Sequence, residues 1–160
     1  MDHNKLLRQQ LAKLLDWGEA HTDFGTAVKG LPADLRGTVP KGLPHSAWQL
    51  LEHIRIALWD ILAFSRGAKH KSPPWPDGYW PKTVAPPSDE AWDASVKSIL
   101  QQLEAMRELV LDPANDLFAP IPRGTGQTLL REALLVADHN AYHLGQLVLV
   151  RKALGAWESK

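Results

Sequence analysis

Apolar residues recur every three to four positions in four stretches of the chain, and no segment alternates apolar with polar residues as a half-buried strand would. The pattern predicts an all-α protein. In the first stretch, residues 4–28, Leu7, Leu11, Leu14 and Leu15 form one stripe, with Gly18 and Gly25 weakening the later turns. The second opens at Ser46, whose hydroxyl can accept from a first-turn amide while Gln49 answers three residues on, the two halves of a capping box. Its stripe is Ala47, Leu50, Ile54, Ala57, Leu58 and Ile61, and it stops near Gly67. The third follows Pro86 and Pro87, with Ser88 as cap, Asp89 and Glu90 opposing the helix dipole, and a stripe of Trp92, Val96, Ile99, Leu103, Met106 and Val110. The fourth runs from Gln127 to Leu154, and Gly155 is placed to end it. It is apolar on two sides: Leu130, Leu134, Ala137, Ala141, Leu144 and Val148 share one face, whereas Val136, Leu147 and Val150 lie nearly opposite. That suits a central helix, or one that packs on a partner subunit as well as on its own bundle.

Between the second and third stretches, residues 68–87 hold six prolines together with Trp75, Tyr79 and Trp80. A proline has no amide to donate, so this segment cannot continue a helix. Its length is unusual between neighbouring antiparallel helices and points to a crossover between bundle halves or a loop that covers a site. The shorter Arg123-Gly124-Thr125-Gly126 run follows prolines rather than a strand, so it reads as a turn and not as a phosphate-binding loop.

Composition narrows the function classes. The 160 residues carry 18 Lys+Arg and 18 Asp+Glu with 44% hydrophobic residues, which fits one compact domain spanning 1–160 with a sizeable core. Balanced charge removes the footprint expected of a protein that binds nucleic acid or anionic lipid. No apolar run approaches the length of a membrane span, so the expectation is a cytoplasmic protein. The chain has no cysteine, which excludes disulfides, thiolate zinc clusters and a cysteine nucleophile, and leaves metal ligation to His, Asp or Glu.

Three of the seven histidines sit where helix geometry can unite them. His139 and His143 are four apart and project from one face of the fourth helix on successive turns. Glu132 and Gln146 lie on the same face of a helix otherwise too apolar for solvent, and buried polar groups need partners. His53 sits mid-way along the second helix with Gln49 and Asp60 on its side. Three imidazoles from two packed helices make a half-filled coordination shell with room for water or substrate. His3, His21, His45 and His70 lie near a terminus, a helix end or a loop and are expected to be solvated. The residue after His139 is Asn140, so the glutamate of zinc proteases is missing, and no Glu-x-x-His supports a di-iron site. A haem fits poorly, since two histidines on one helix face cannot ligate its opposite sides.

Two segments resemble a known family, the DinB-like or YfiT-like four-helix proteins described as metal-dependent enzymes. One is Ser46-Ala47-Trp48-Gln49-Leu50-Leu51-Glu52-His53. The other is Asp138-His139-Asn140-Ala141-Tyr142-His143-Leu144-Gly145-Gln146-Leu147 with Arg151-Lys152-Ala153-Leu154-Gly155 behind it. The resemblance implies a four-helix bundle, up-down-down-up, with the long connection between helices 2 and 3. It implies a three-His site at His53, His139 and His143 for zinc, nickel or a similar divalent metal, and commonly a homodimer. Relatives include enzymes that use a low-molecular-weight thiol as S-transferases or a thiol-dependent isomerase. The expected function is therefore a metal-dependent thiol transferase, or a hydrolase, acting on a small-molecule substrate held at the metal's open position. Gln146 and Asp60 are candidates to orient an imidazole or the bound nucleophile, and Trp75, Tyr79 and Trp80 to wall the pocket. The competing expectation is a non-catalytic dimeric helical module with a vestigial or structural metal site.

Overall fold

A computed structural model describes residues 2–16, 18–67, 69–122 and 124–157. Five α-helices, α1 His3–Leu14, α2 Phe24–Val28, α3 Ala47–Ser65, α4 Asp89–Leu111 and α5 Leu129–Ala153, make up its regular structure, with one-turn 3-10 segments at Ala33–Leu35 and Asp77–Tyr79. No strand occurs among the described residues; a single isolated bridge joins Pro120 and Thr128.

The predicted caps set the starts of the long helices. Ser46 Oγ accepts from Gln49 N at 3.2 Å, and Gln49 Oε1 accepts from Ser46 N at 3.0 Å, completing the capping box of α3. Ser88 Oγ accepts from Ala91 N at 3.2 Å to start α4. Thr128 caps α5 by accepting from Arg131 N, so the helix begins at Leu129, two residues later than the expected Gln127. Gly155, at φ +68°, ends α5 in the left-handed conformation that costs glycine nothing, and Ala156 N donates back to Arg151 O at 2.8 Å.

The first stretch departs from the sequence expectation. It is two helices and not one: α1 stops at Leu14, and α2 begins at Phe24. Asp23 offers its carboxylate to Thr26 N at 2.7 Å and Thr26 Oγ1 at 2.9 Å, and Asp16 Oδ1 accepts from Phe24 N at 3.4 Å. Short acidic side chains that bond nearby amides compete with a continuing helix, and Gly18 between them weakens it further. Trp17, the residue at the break, lies outside the described residues.

α3 is the centre of the bundle and packs against both α4 and α5, while α1 packs on α4. Leu50, Leu51, Ile54 and Leu58 of α3 meet Ile99 and Met106 of α4 and Val136, Leu147 and Val150 of α5 in the core. A buried carboxylate ties α3 to α4: Glu52 accepts from Ser95 Oγ at 2.5 Å and from Arg55 Nε and Nη2 at 2.7 and 2.8 Å. The two-sided pattern of α5 resolves unevenly. Ala137 and Leu144 are buried, but Leu134, Tyr142 and Leu149 are 45%, 64% and 50% exposed on one side of the helix.

Buried arginines close the ends of the bundle. Arg151 Nη1 donates to Ala27 O at 2.6 Å and Lys29 O at 2.9 Å, which fastens α2 to the end of α5. Arg8 Nη1 donates to Val110 O and Asp112 O at 2.7 and 2.9 Å, and its Nη2 to Asn115 O at 2.7 Å, so α1 satisfies the carbonyls that α4 leaves open at its C-terminus. Replacing Arg8 with Met strands these acceptors at a buried position. Arg8→Met is expected to destabilise the fold by about 2–4 kcal/mol, read as a lower urea midpoint with unchanged slope.

Candidate metal centre

Helix periodicity and the α3–α5 packing bring three rings together. His53 lies two turns into α3, and His139 and His143 occupy successive turns of α5. His53 Nε2 is 3.1 Å from His143 Nε2 and 3.1 Å from His139 Nε2. Ligand atoms of the three side chains all lie within 4.8 Å of one another, so the group can hold a metal ion. His53 and His143 are buried, and His139 keeps a partly exposed edge.

The outer nitrogens decide which atoms face inward. Tyr79 O lies 2.8 Å from His53 Nδ1, and a carbonyl only accepts, so Nδ1 carries the proton and donates. His143 Nδ1 donates to Gln146 Oε1 at 2.7 Å. Asn140 Oδ1 is 3.5 Å from His139 Nδ1.

Burial is the main force that pushes all three imidazoles below their usual pKa. His53 is lowered by burial, opposed by the Tyr79 carbonyl and reinforced by His139. His139 is lowered by burial, with Asn140 and Asp138 opposing. His143 is pushed down to about 4 by burial and then by His139 and His53. The rings are therefore neutral at neutral pH. His53 and His143, each protonated at Nδ1, then turn two lone pairs toward each other at 3.1 Å with no proton between them. A divalent ion that binds imidazole at about 2.0–2.1 Å needs its nitrogens roughly 3 Å apart, so the donor set fits such an ion.

The proline-rich segment lies directly over this cluster. From residue 70 to residue 84 it runs back along α3 from Asp60 to Ser46. Asp60 holds its first part, with Oδ1 bonded to His70 Nε2 and Oδ2 accepting from Tyr79 Oη at 2.6 Å. Burial and that bond push the Tyr79 hydroxyl up to about 12, so it stays a donor. Trp80 then stacks on His53 with centroids 4.0 Å apart and planes 4° from parallel, and His45 stacks on Trp80 at 4.2 Å. Farther on, Thr83 Oγ1 accepts from Trp48 Nε1 at 3.1 Å, and Val84 O accepts from Ser46 Oγ at 2.5 Å. Gly37 presses on this end so closely that a Cβ would meet Ala85 Cβ at 2.3 Å.

The positions of the other expected site residues follow from these contacts. Gln146 Oε1 lies 2.7 Å from Nδ1 of His143 in the cluster. Asp60 touches none of the three clustered imidazoles; it bonds His70 and reaches His53 only through Tyr79. Gln49 is committed to the capping box, and buried Glu132 pairs with Arg131 at 2.6 Å instead of joining the cluster. Trp80 walls His53, but Trp75 is 78% exposed and meets only the edge of Tyr79. His3 and His21 are exposed, as expected. His45 and His70 are partly buried instead of fully solvated: the first packs on Trp80, and the second is bonded to Asp60 with Trp59 against its ring. Their neighbours in sequence are loop-like, and only the return of the segment along α3 partly buries them. The Tyr79 carbonyl had no signal at all, because every residue carries one.

Two cavities flank the cluster. One of 70 Å³ is lined by Leu43, His45, Leu50, Gln146 and Leu149, and adjoins the histidines through Gln146. An apolar one of 240 Å³ lies between α1, α3, α4 and α5, lined by Leu15, Phe24, Ile54, Leu103, Asn140 and Leu144, and none of the three histidines lines it.

Comparison with known proteins adds one match. The family model of the DinB superfamily covers residues 17–147, a span that contains α2, α3, α4 and all three histidines. No curated protein and no solved structure matches the chain. All-helical, and matched by that model over most of its length, the chain belongs to the DinB superfamily.

Proposed function

We propose that this protein is a metal-dependent enzyme acting on a small molecule, with His53, His139 and His143 holding one divalent cation, zinc or nickel, through their Nε2 atoms. The observation that carries this reading is the pair of neutral imidazoles whose inward nitrogens sit 3.1 Å apart with no donor between them. Two lone pairs repel at that distance unless a cation joins them. When bound, such an ion lowers the pKa of a coordinated thiol or water and stabilises the resulting anion.

The chain's own residues prepare the site. Tyr79 O and Gln146 Oε1 hold two rings in the tautomer that presents Nε2, and Trp80 shields one face of His53 from water. The partly exposed His139 and the neighbouring Tyr142, whose ring stands edge-on to His143 at 5.0 Å, border the open side. The chain has no cysteine of its own, so a nucleophilic sulfur must come from a low-molecular-weight thiol. We favour transfer of that thiol to an electrophilic substrate over hydrolysis, with the 70 Å³ cavity beside Gln146 receiving a small apolar group of the substrate.

Untagged protein is expected to bind about one divalent ion per chain by elemental analysis, and His143→Ala to lower that affinity at least about tenfold while the protein stays folded. Turnover of electrophiles that requires both the metal and an added thiol supports the transferase. Metal-independent folding with no metal uptake supports the non-catalytic module instead.

The lowered pKa values set a pH dependence. Near pH 7 the folded triad has no proton to lose on binding metal, so affinity is expected to hold better below pH 6.5 than that of free imidazole and to fall as the pH approaches about 4, where His143 protonates. In the unfolded chain the same histidines take up protons below 6.5. The metal-free protein is therefore expected to lose stability as pH falls from 6.5 toward about 4, and calorimetry across that window checks both trends.

The exposed Leu134, Tyr142 and Leu149 on one side of α5 support a homodimer in which this face meets a second copy. Light scattering is expected to give twice the chain mass for the native protein and a monomer for Leu149→Glu. A native monomer at micromolar concentration would rule the dimer out.

A further inference from the structure

The metal reading leaves open what holds the proline-rich segment down and whether it matters to the site. Its fastenings are unevenly placed. Thr83 and Val84 are bonded at the N-terminal end of α3, whereas the stretch that actually touches His53 is held by one carboxylate, Asp60, a full two turns beyond His53 on the same helix. Tyr79 is the hinge of this arrangement, because it is bonded at both ends. Its hydroxyl donates to Asp60 Oδ2 at 2.6 Å, and its carbonyl accepts from His53 Nδ1 at 2.8 Å. Trp80, the next residue, is thereby laid flat on the same ring.

We propose that Asp60 and the Tyr79 hydroxyl form a latch that couples closure of the 69–87 segment to metal binding, with Tyr79 as a positioning residue for His53. The proposal rests on the metal-site reading above. Releasing the hydroxyl lets the carbonyl drift from Nδ1. His53 is then free to carry its proton on Nε2, the nitrogen a cation needs, and its ring loses the stacking surface of Trp80. Coupling of this kind is reciprocal: if the closed segment favours the metal, the metal favours the closed segment by the same factor. The segment offers its own reporters, since Lys71 and Lys82 are exposed and neither precedes a proline, which leaves both open to trypsin.

The test uses the full chain and Zn²⁺ as the probe. Affinity is measured by calorimetry against a competing chelator, and cleavage after Lys71 and Lys82 is followed with and without Zn²⁺. Tyr79→Phe and Asp60→Ala are expected to weaken Zn²⁺ binding by about 10- to 100-fold, the range seen when a group that orients a metal ligand is lost. Asp60→Asn keeps an oxygen for the Tyr79 hydroxyl and is expected to retain most of the affinity. Zn²⁺ is expected to slow both cleavages in the native protein and to protect Tyr79→Phe far less. Nitrogen chemical shifts of the metal-free protein are expected to report Nδ1–H on His53 in the native chain and a mixture of tautomers in Tyr79→Phe. Arg8→Met, which lowers stability at the far end of α4, serves as the control for a merely structural loss and is expected to leave Zn²⁺ affinity unchanged. Zn²⁺ binding in the native chain that is undiminished in Tyr79→Phe and Asp60→Ala overturns the latch alone. No binding in the native chain overturns the metal reading and the latch together.

Discussion

Three imidazoles packed ring against ring inside a helical bundle impose a demand that most of the surrounding structure meets. Each ring has two nitrogens, and in the neutral form one donates while the other accepts. Turning Nε2 inward on His53 and His143 means that each Nδ1–H must find an acceptor in a place where water is scarce. Leaving either donor unpaired at such a buried position costs about 1–3 kcal/mol. Charging the rings is no escape, because burial and their mutual repulsion already push His143 down to about 4. The solutions differ in kind. His143 takes the side chain of Gln146, three residues along its own helix, and His53 takes a backbone carbonyl 26 residues away in sequence.

That second solution makes use of the long connection between α3 and α4. α4 starts beside the N-terminal end of α3, where Glu52 meets Ser95 and Arg36 holds Asp89, so the crossover has to return along α3. On the way it is bonded successively to Asp60, His53, Trp48 and Ser46. Its prolines restrict the backbone and remove amides that would otherwise need partners. Crossover and cover are the same segment, and the carbonyl that orients His53 is supplied as the segment returns along α3 to the start of α4.

Such a site needs rigid supports, and the bundle provides them away from the chemistry. Glu52, next to His53 in sequence, bonds Ser95 and Arg55 and so pins the middle of α3 to α4. Arg8 and Arg151 occupy carbonyls left open at helix ends and in the α2 region, holding α1 and α2 against the longer helices. A ligand set spread over two helices is only as well placed as the packing between them.

The helices and two of the three converging rings were legible from local pattern. Capping boxes, N-terminal serines and a terminal glycine act within a few residues, so Ser46, Gln49, Ser88 and Gly155 could be read directly, and so could the shared face of His139 and His143. His53 needed the assumption that α3 and α5 pack side by side, for which the family-like segments around both motifs gave the warrant. The break between α1 and α2 was missed because Asp23 reads as one more polar residue until its carboxylate is seen capping Thr26. The identities of the residues thus determined where the long helices begin to within a residue or two, which faces are apolar and which side chains are able to bind a metal at all. Only the tertiary structure decided that Asp60 serves the loop, that His45 and His70 are partly buried, and that Tyr79 contributes its backbone to His53. Those outcomes depend on the path of the chain through space, and a carbonyl oxygen or a stacking partner brought from afar leaves no trace in local periodicity.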